Sequence, residues 1–225
     1  MLFNRNGLIY GKAIEQPSQE LVKNTLGLHN ASLEDALKYG GELTRSAIGA
    51  MNLSFKKKHI IVDTKIHMLL PGMCPAIPGW HTDGVPRGLT LDPTVKQEPN
   101  IQSQEEMNSP IFHLLVTGTS CLTQFIEQRN IDLNVPNEPD AKLYKMMSKQ
   151  VNDRIAKGEL TSFEAPTCTP VMWDWWEIHT GVPAKHHEWR FLIRVTETDI
   201  QEPKRDLREI IRTQQQGYMP MEFGW

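Results

Sequence analysis

Apolar and polar positions change their period several times along the chain, and each change predicts an element. From Ser18 to Leu26 and from Ser32 to Met51 apolar residues recur at helical spacing, Leu33, Leu37, Leu43 and Ala47 among them, which predicts two helices. Ser32, three residues before Asp35, is a helix-starting pair, and Gly40-Gly41 is a point where the second helix can break. At His59 the period becomes two. Ile60, Val62, Thr64, Ile66 and Met68 alternate with Ile61, Asp63, Lys65, His67 and Leu69, a strand ended by Pro71-Gly72. Ile111 to Thr117 and Cys121 to Glu127 read as strands of a hairpin joined through Gly118-Thr119-Ser120. Asp140 to Lys157 reads as a helix with Leu143, Met146, Met147 and Ile155 inward. Thr169 to Ile178 and Trp189 to Thr196 read as strands, and Pro203 to Gln214 as a charged helix.

Helices, then strands with one helical insertion and no regular βα alternation, predict a mainly β fold with flanking helices, an antiparallel sandwich or barrel. The chain divides into a helical part over 1–58, a β core over 59–197 with an insertion at 140–157, and a terminal helix over 203–214, all in one domain. Gly84 to Pro110, proline-rich and aperiodic, is a long loop, expected to act as a lid.

Parity in the last strand separates two faces: Trp189, Phe191, Ile193 and Val195 on one, Arg190, Leu192 and Arg194 on the other. If the second face lines an interior, its guanidiniums need anionic partners, because an unpaired buried charge costs several kcal/mol. If it is open to water, both arginines are merely solvated. The strand alone leaves both readings standing.

Length and composition narrow the chemistry. A chain of 225 residues buries roughly 70% of its unfolded surface. It needs no metal for stability, so any metal is free for catalysis. The 24 Lys+Arg against 27 Asp+Glu, net charge -3, argue against a protein that lives on a nucleic-acid backbone. Cys74, Cys121 and Cys168, odd in number and widely spaced, suggest no disulfide framework and a reducing, cytoplasmic location. No apolar run approaches the roughly 18 residues of a membrane span, and neither a secretory signal nor an anchor is expected. Phosphate-loop, GxGxxG, GxSxG and HExxH motifs are all missing, which leaves nucleotide-hydrolase, dehydrogenase and serine-hydrolase readings without support.

His81-Thr82-Asp83 places an imidazole and a carboxylate on one side of an extended segment, where both can hold one metal ion. Chance makes such pairs easily, so the pair needs company. Trp173-Asp174-Trp175-Trp176-Glu177-Ile178-His179 supplies a second histidine, and Arg190 follows His179 by eleven residues.

This ordered set, over Ile60 to Thr196, resembles the Fe(II)- and 2-oxoglutarate-dependent oxygenases, whose fold is a double-stranded β-helix, or jelly roll. The resemblance implies that His81, Asp83 and His179 hold Fe(II) and that Arg190 binds the distal carboxylate of 2-oxoglutarate, with Thr123 assisting. It also implies that O2 is consumed with 2-oxoglutarate, releasing succinate and carbon dioxide, with hydroxylation the usual outcome. Asp83 stands where related halogenases have a small residue, which favours oxygenation. Two imidazoles and one carboxylate on one face leave three adjacent positions for a keto acid and dioxygen. Arginine suits a far carboxylate because its planar fork donates two parallel hydrogen bonds.

Arg194, Trp80, Trp176 and His67 are assigned to substrate binding, although the tryptophans, with Trp175, would equally seal a barrel and His67 would equally sit in the core. Asp63 and Lys65 share the His67 face and point either into a cavity or off an exposed edge. His186 or His187 would replace His179 only with Arg190 much closer in sequence, and His29 and His59 read as surface or loop residues. The substrate, a small molecule or a unit of a polymer, is not specified. The alternatives are a cupin-like metalloenzyme without keto acid and a non-catalytic jelly-roll module. An inward Arg190 favours the keto-acid reading and an outward one the cupin.

Overall fold

The computed structural model describes residues 1–87 and 97–212. In chain order it contains β1 (Leu2–Phe3), β2 (Ile9–Tyr10), α1 (Gln19–Lys23), β3 (Gly27–Ser32), α2 (Leu33–Tyr39), α3 (Gly41–Gly49) and β4 (His59–Leu69). A short 3-10 helix, Ile101–Glu105, precedes β5 (Ile111–Val116), β6 (Gln124–Ile126), β7 (Ile131–Asp132), α4 (Leu143–Ala156), β8 (Ser162–Glu164) and β9 (Val171–Asp174). The described chain ends with β10 (His179–Thr180), β11 (Glu188–Thr198), α5 (Leu207–Ile210) and β12 (Ile211–Arg212).

The fold is mainly β, and all pairings between these strands are antiparallel. The larger sheet has the order β12-β3-β4-β11-β5-β9-β2, a smaller one β10-β6-β8, and β1 pairs with β7. At the centre β4 and β11 pair without interruption from Glu188 opposite Leu69 to Thr198 opposite His59. Their alternation decides what each face does. Phe191, Ile193 and Val195 are fully buried with Val62, Ile66, Ala36, Leu43 and Ala47 in a core that α2 and α3 cover. Burying each large apolar side chain contributes about 1.5–3 kcal/mol. A one-residue slip would drive Arg190 and Arg194 into that core, so the register is strongly specified.

The opposite face of β4 and β11 turns toward the small sheet. There Phe125 meets Trp173 edge-on, ring centroids 5.4 Å apart, within a second core that includes Leu114 and Ile178. Against this core α4 lays Leu143, Met147 and Val151, while Met146 and Ile155 are only half-buried at its margin.

The helix start at Ser32 is realised, its Oγ accepting from the Asp35 N–H at 3.0 Å. The break falls at Gly40-Gly41, where Gly41 has φ +81°, a backbone state that glycine adopts without steric cost. Three expectations are corrected. The predicted hairpin does not form: β5 pairs with β11 and β9, and β6 with β10 and β8. The connecting segment is drawn elsewhere, because the Thr117 N–H bonds to the Phe191 carbonyl and the Ser120 N–H to the Glu188 carboxylate. Residues Ser18 to Leu26 yield only the short α1, and the chain goes on directly into the unpredicted strand β3. The terminal helix is confined to Leu207–Ile210, after which β12 pairs with β3, and residues 213–214 lie outside the described residues. Of the expected lid, residues 88–96 lie outside them too, and its ends meet in a bridge between Arg87 and Pro99. No described helix is long and apolar enough to cross a membrane.

Candidate metal centre

The two proposed histidine ligands are held opposite one another by the backbone. His81 and His179 form a single antiparallel bridge, each N–H donating to the other's carbonyl at 3.0 Å. Their rings consequently lie side by side, centroids 4.6 Å apart. Asp83, two residues on, reaches the same point, its Oδ2 3.5 Å from His179 Nε2. One donor atom from each of His81, Asp83 and His179 lies within 4.8 Å of the others, so the three form a group able to hold one metal ion. The imidazoles are oriented for this. His81 Nδ1 donates to the Gly79 carbonyl at 2.8 Å and His179 Nδ1 to the Glu177 carbonyl at 3.1 Å, so that Nε2 of each ring is the nitrogen able to act as a metal donor.

Electrostatics favour the metal-binding forms of two of the three, a neutral His81 and an ionised Asp83. Burial, then repulsion from His179, pushes the His81 imidazole down to about 4, so it is neutral at pH 7. Burial alone would raise the Asp83 carboxyl, but the facing His179, followed by Arg194, outweighs it and holds it well below the usual carboxylate range.

The group opens into a cavity of about 270 Å³ whose opposite wall is the polar face of β4 and β11. Arg190 lies in that wall, only 4% exposed, opposite His67 in the strand register. Its Nε is buried without a hydrogen-bond partner, and among the described residues no carboxylate comes within ion-pairing distance. His67 offers no counter-charge: burial first, and then Arg190, pushes it down to about 3, so a neutral ring faces the guanidinium. Arg194 is different. Its side chain is 41% exposed, with Nη1 3.7 Å from Asp83 Oδ2 and Nη2 3.8 Å from Asp63 Oδ2.

His81, Asp83, His179, Arg190, Arg194, His67 and Thr123 thus all line one cavity. Trp80 and Trp176 do not, and their assignment to substrate binding is replaced by structural roles. The Trp80 N–H bonds to Ser148 Oγ at 3.1 Å and its Nε1 to Asn152 Oδ1 at 3.0 Å, which ties the His81 segment to α4. Trp176 packs edge-on against Phe3 at 5.9 Å, with the Arg5 guanidinium 3.9 Å from its ring. His186 lies beside Glu188 at 3.5 Å and Thr119, outside the donor group, and His179 is the histidine that joins His81 and Asp83 in it.

Some cavity residues were not anticipated. Trp173 lines the wall and meets the His179 ring edge-on at 5.5 Å, and the alternating burial of β9 is the signal that points it inward. His29 and Asn30 also reach the cavity, through an irregularity in the β3–β4 register between Leu28 and Ala31, with Asn30 at φ 51°. Bulges re-aim side chains in this way, and no periodicity announces them. Asp63 fastens this turn, accepting from the Asn30 N–H at 2.9 Å and lying 3.2 Å from His29 Nδ1. No protein-family model and no curated protein matches the chain, so its residues and their geometry alone support a functional reading.

Proposed function

We propose that the protein is an Fe(II)- and 2-oxoglutarate-dependent oxygenase built on a jelly-roll core, hydroxylating its substrate with release of succinate and carbon dioxide. One observation carries the reading: a His-Asp-His donor group shares its cavity with a buried arginine that has no ion-pair partner among the described residues. A structural metal site is usually closed by four protein ligands. Three donors from the chain leave room for an exchangeable acid and dioxygen. The two antiparallel sheets that contribute to the cavity, through β4 and β11 on one side and β10 on the other, support the jelly-roll assignment.

When bound with 2-oxoglutarate and dioxygen, iron would supply the oxidising chemistry that hydroxylates a C–H bond. The chain does the rest. His81 and His179, oriented by the Gly79 and Glu177 carbonyls, hold the metal through Nε2, and Asp83 holds it as a carboxylate. Arg190 grips the distal carboxylate of 2-oxoglutarate with its planar fork, and Thr123 adds a hydroxyl from the same cavity wall. Leu114, Leu192 and Trp173 keep the lining apolar and exclude water, which strengthens every charge interaction inside. An inward Arg190 favours this reading over a cupin-like enzyme without keto acid, and the convergent ligand group favours it over a non-catalytic module.

The test is anaerobic addition of Fe(II) and then 2-oxoglutarate. A weak visible charge-transfer band is expected in the wild-type protein, together with succinate formation once air is admitted. Metal binding without any band or succinate would overturn the proposal.

A further inference from the structure

Among the described residues the cavity contains one cation that neither the proposed chemistry nor an ion pair employs. Asp83 serves the metal, and Asp63 is committed to the Asn30 N–H, His29 and Arg194. Arg190 takes one carboxylate of 2-oxoglutarate and the metal takes the other. Arg194 lies between Asp63 and Asp83. Lys65 remains. It lines the same cavity, and among the described residues no carboxylate is within ion-pairing distance of it. With the divalent ion and the keto acid in place, Lys65, Arg190 and Arg194 stand against Asp63 and Asp83, and the site keeps one net positive charge.

Position separates Lys65 from the cosubstrate grip. Lys65 faces Leu192 in the β4–β11 register, whereas Arg190 faces His67. The two cations are therefore displaced by two residues along the sheet, about 6.8 Å at strand rise. Leu192, opposite Lys65 in the register, lines the cavity together with Leu114 and Leu122 and gives it an apolar part. A cavity of about 270 Å³ is also small for a ligand pocket, which suits a small molecule over a polymer chain.

We infer that the part of the cavity not taken by 2-oxoglutarate binds a small organic anion as substrate, its carboxylate or phosphate on Lys65 and its hydrocarbon body against Leu114, Leu122 and Leu192. This inference rests on the oxygenase reading and names its substrate class. Lys65 is exposed at the cavity, yet lost hydration, then the nearby Arg194, lowers its ammonium from its ordinary value, and an arriving anion offsets the repulsion from Arg194.

The experiment uses wild-type, Lys65→Met and Lys65→Arg proteins, loaded anaerobically with Fe(II) and saturating 2-oxoglutarate. Each is titrated to millimolar concentration with butanoate, ethyl phosphate, butanamide and butylamine, reading the charge-transfer band. The expected result is a saturable perturbation by at least one of the two anions and by neither butanamide nor butylamine. It should weaken at least tenfold in Lys65→Met and return in Lys65→Arg, with 2-oxoglutarate half-saturation changed less than twofold. Which anion acts distinguishes a carboxylic acid from a phosphate ester. A response to butanamide equal to that of butanoate, an unchanged response in Lys65→Met, or a tenfold loss of 2-oxoglutarate binding in that variant would each overturn the inference. If wild type gives no band, the oxygenase reading has failed separately. Calorimetry of butanoate and ethyl phosphate with the metal-loaded protein then decides the anion site: heat lost in Lys65→Met and kept in Arg190→Met supports it, and any other pattern overturns it.

Discussion

Arg190 faces His67 directly across the β4–β11 pair, so a buried guanidinium looks at a neutral imidazole where a carboxylate would ordinarily balance it. Removing the charge should therefore help the empty protein and harm the loaded one. Replacing unpaired or paired buried charge by apolar side chains is often stabilising, and Arg190→Met should gain about 1–3 kcal/mol in urea unfolding without ligands. Wild type should gain about 2.7 kcal/mol when 2-oxoglutarate is added at a hundred times its dissociation constant with Fe(II), and the variant nothing. Arg190→Lys should keep the charge but lose the bidentate fork, weakening 2-oxoglutarate roughly tenfold. A destabilised Arg190→Met protein would count against an unbalanced cation in the cavity.

The bridge between His81 and His179 is made by backbone atoms, so deleting one ring should spare the fold and abolish the centre. His179→Ala is expected to lower metal affinity more than about 100-fold, beyond what losing an outer-sphere partner costs. Circular dichroism of the variant should match wild type. Equal metal affinity in competition against a chelator would remove His179 from the ligand set.

Trp80 offers a contrast between support and recognition. Its indole N–H reaches Asn152 on α4 and its backbone N–H reaches Ser148, while its ring does not line the cavity. Trp80→Phe keeps an aromatic side chain but loses the indole hydrogen bond and some buried volume, so at least about 1 kcal/mol of stability should go. The affinity of 2-oxoglutarate and the anion response should change less than twofold. A stable variant with altered ligand binding would return Trp80 to the site.

Much of this arrangement was legible because its signals are local. Alternation in His59–Leu69 and in Glu188–Thr198 fixes which side chains share a face, and the structure buries Phe191, Ile193 and Val195 on one side and turns Arg190 and Leu192 to the cavity on the other. His81 and Asp83 are neighbours, so their shared side follows from backbone geometry alone. What escaped was decided at a distance. Gly118-Thr119-Ser120 has hairpin chemistry, yet Phe191 and Glu188 capture the adjoining backbone and route the chain between sheets. Strand β3 is short and interrupted at Asn30, so neither period nor β-branched residues mark it, and His29 passes for a loop histidine. Of the tryptophans that flank the ligands in sequence, Trp173 lines the cavity while Trp80, Trp175 and Trp176 are buried elsewhere, a difference that parity alone does not make, since Trp175 shares the parity of Trp173.

His113 and Glu197 form a second buried pair, with Nε2 2.9 Å from Oε1, outside the metal cavity. Glu197 also accepts from the N–H and hydroxyl of Ser54 and from the N–H of Phe55, fastening the chain ahead of β4. Burial would raise the Glu197 carboxyl, but the Ser54 N–H and His113 overcome it and hold it below its ordinary value. Burial also lowers His113, despite Glu197. Both folded values are depressed, so the unfolded chain binds more protons and stability rises with pH. The His113 contribution is complete above about pH 6.5 and is lost going down from there, and that of Glu197 is lost below about pH 4.3. His67 and His81 are depressed too and share the histidine window. In metal-free protein His113→Gln should make the pH dependence of urea unfolding shallower below about pH 6.5, by at most about 1.4 kcal/mol per pH unit. An unchanged slope would mean that His113 is already protonated when folded.

Arg194 lies 3.7 Å from the Asp83 carboxylate, an ion-pair contact too long for a hydrogen bond. Half-exposed and shared with Asp63, it competes with a metal ion for the Asp83 charge while contributing no ligand atom. Arg194→Met should therefore bind Fe(II) or Mn(II) severalfold more tightly at low ionic strength. Because the contact is open to water, the gain should shrink as salt is raised toward 1 M, where the screening length is about 3 Å. The same variant removes a positive neighbour from Lys65, which should raise the Lys65 ammonium toward its ordinary value and leave it charged over a wider pH range. Weaker metal binding by Arg194→Met would instead make Arg194 a positioning residue that holds Asp83 in place, and rescue by Arg194→Lys would then separate the role of charge from that of shape.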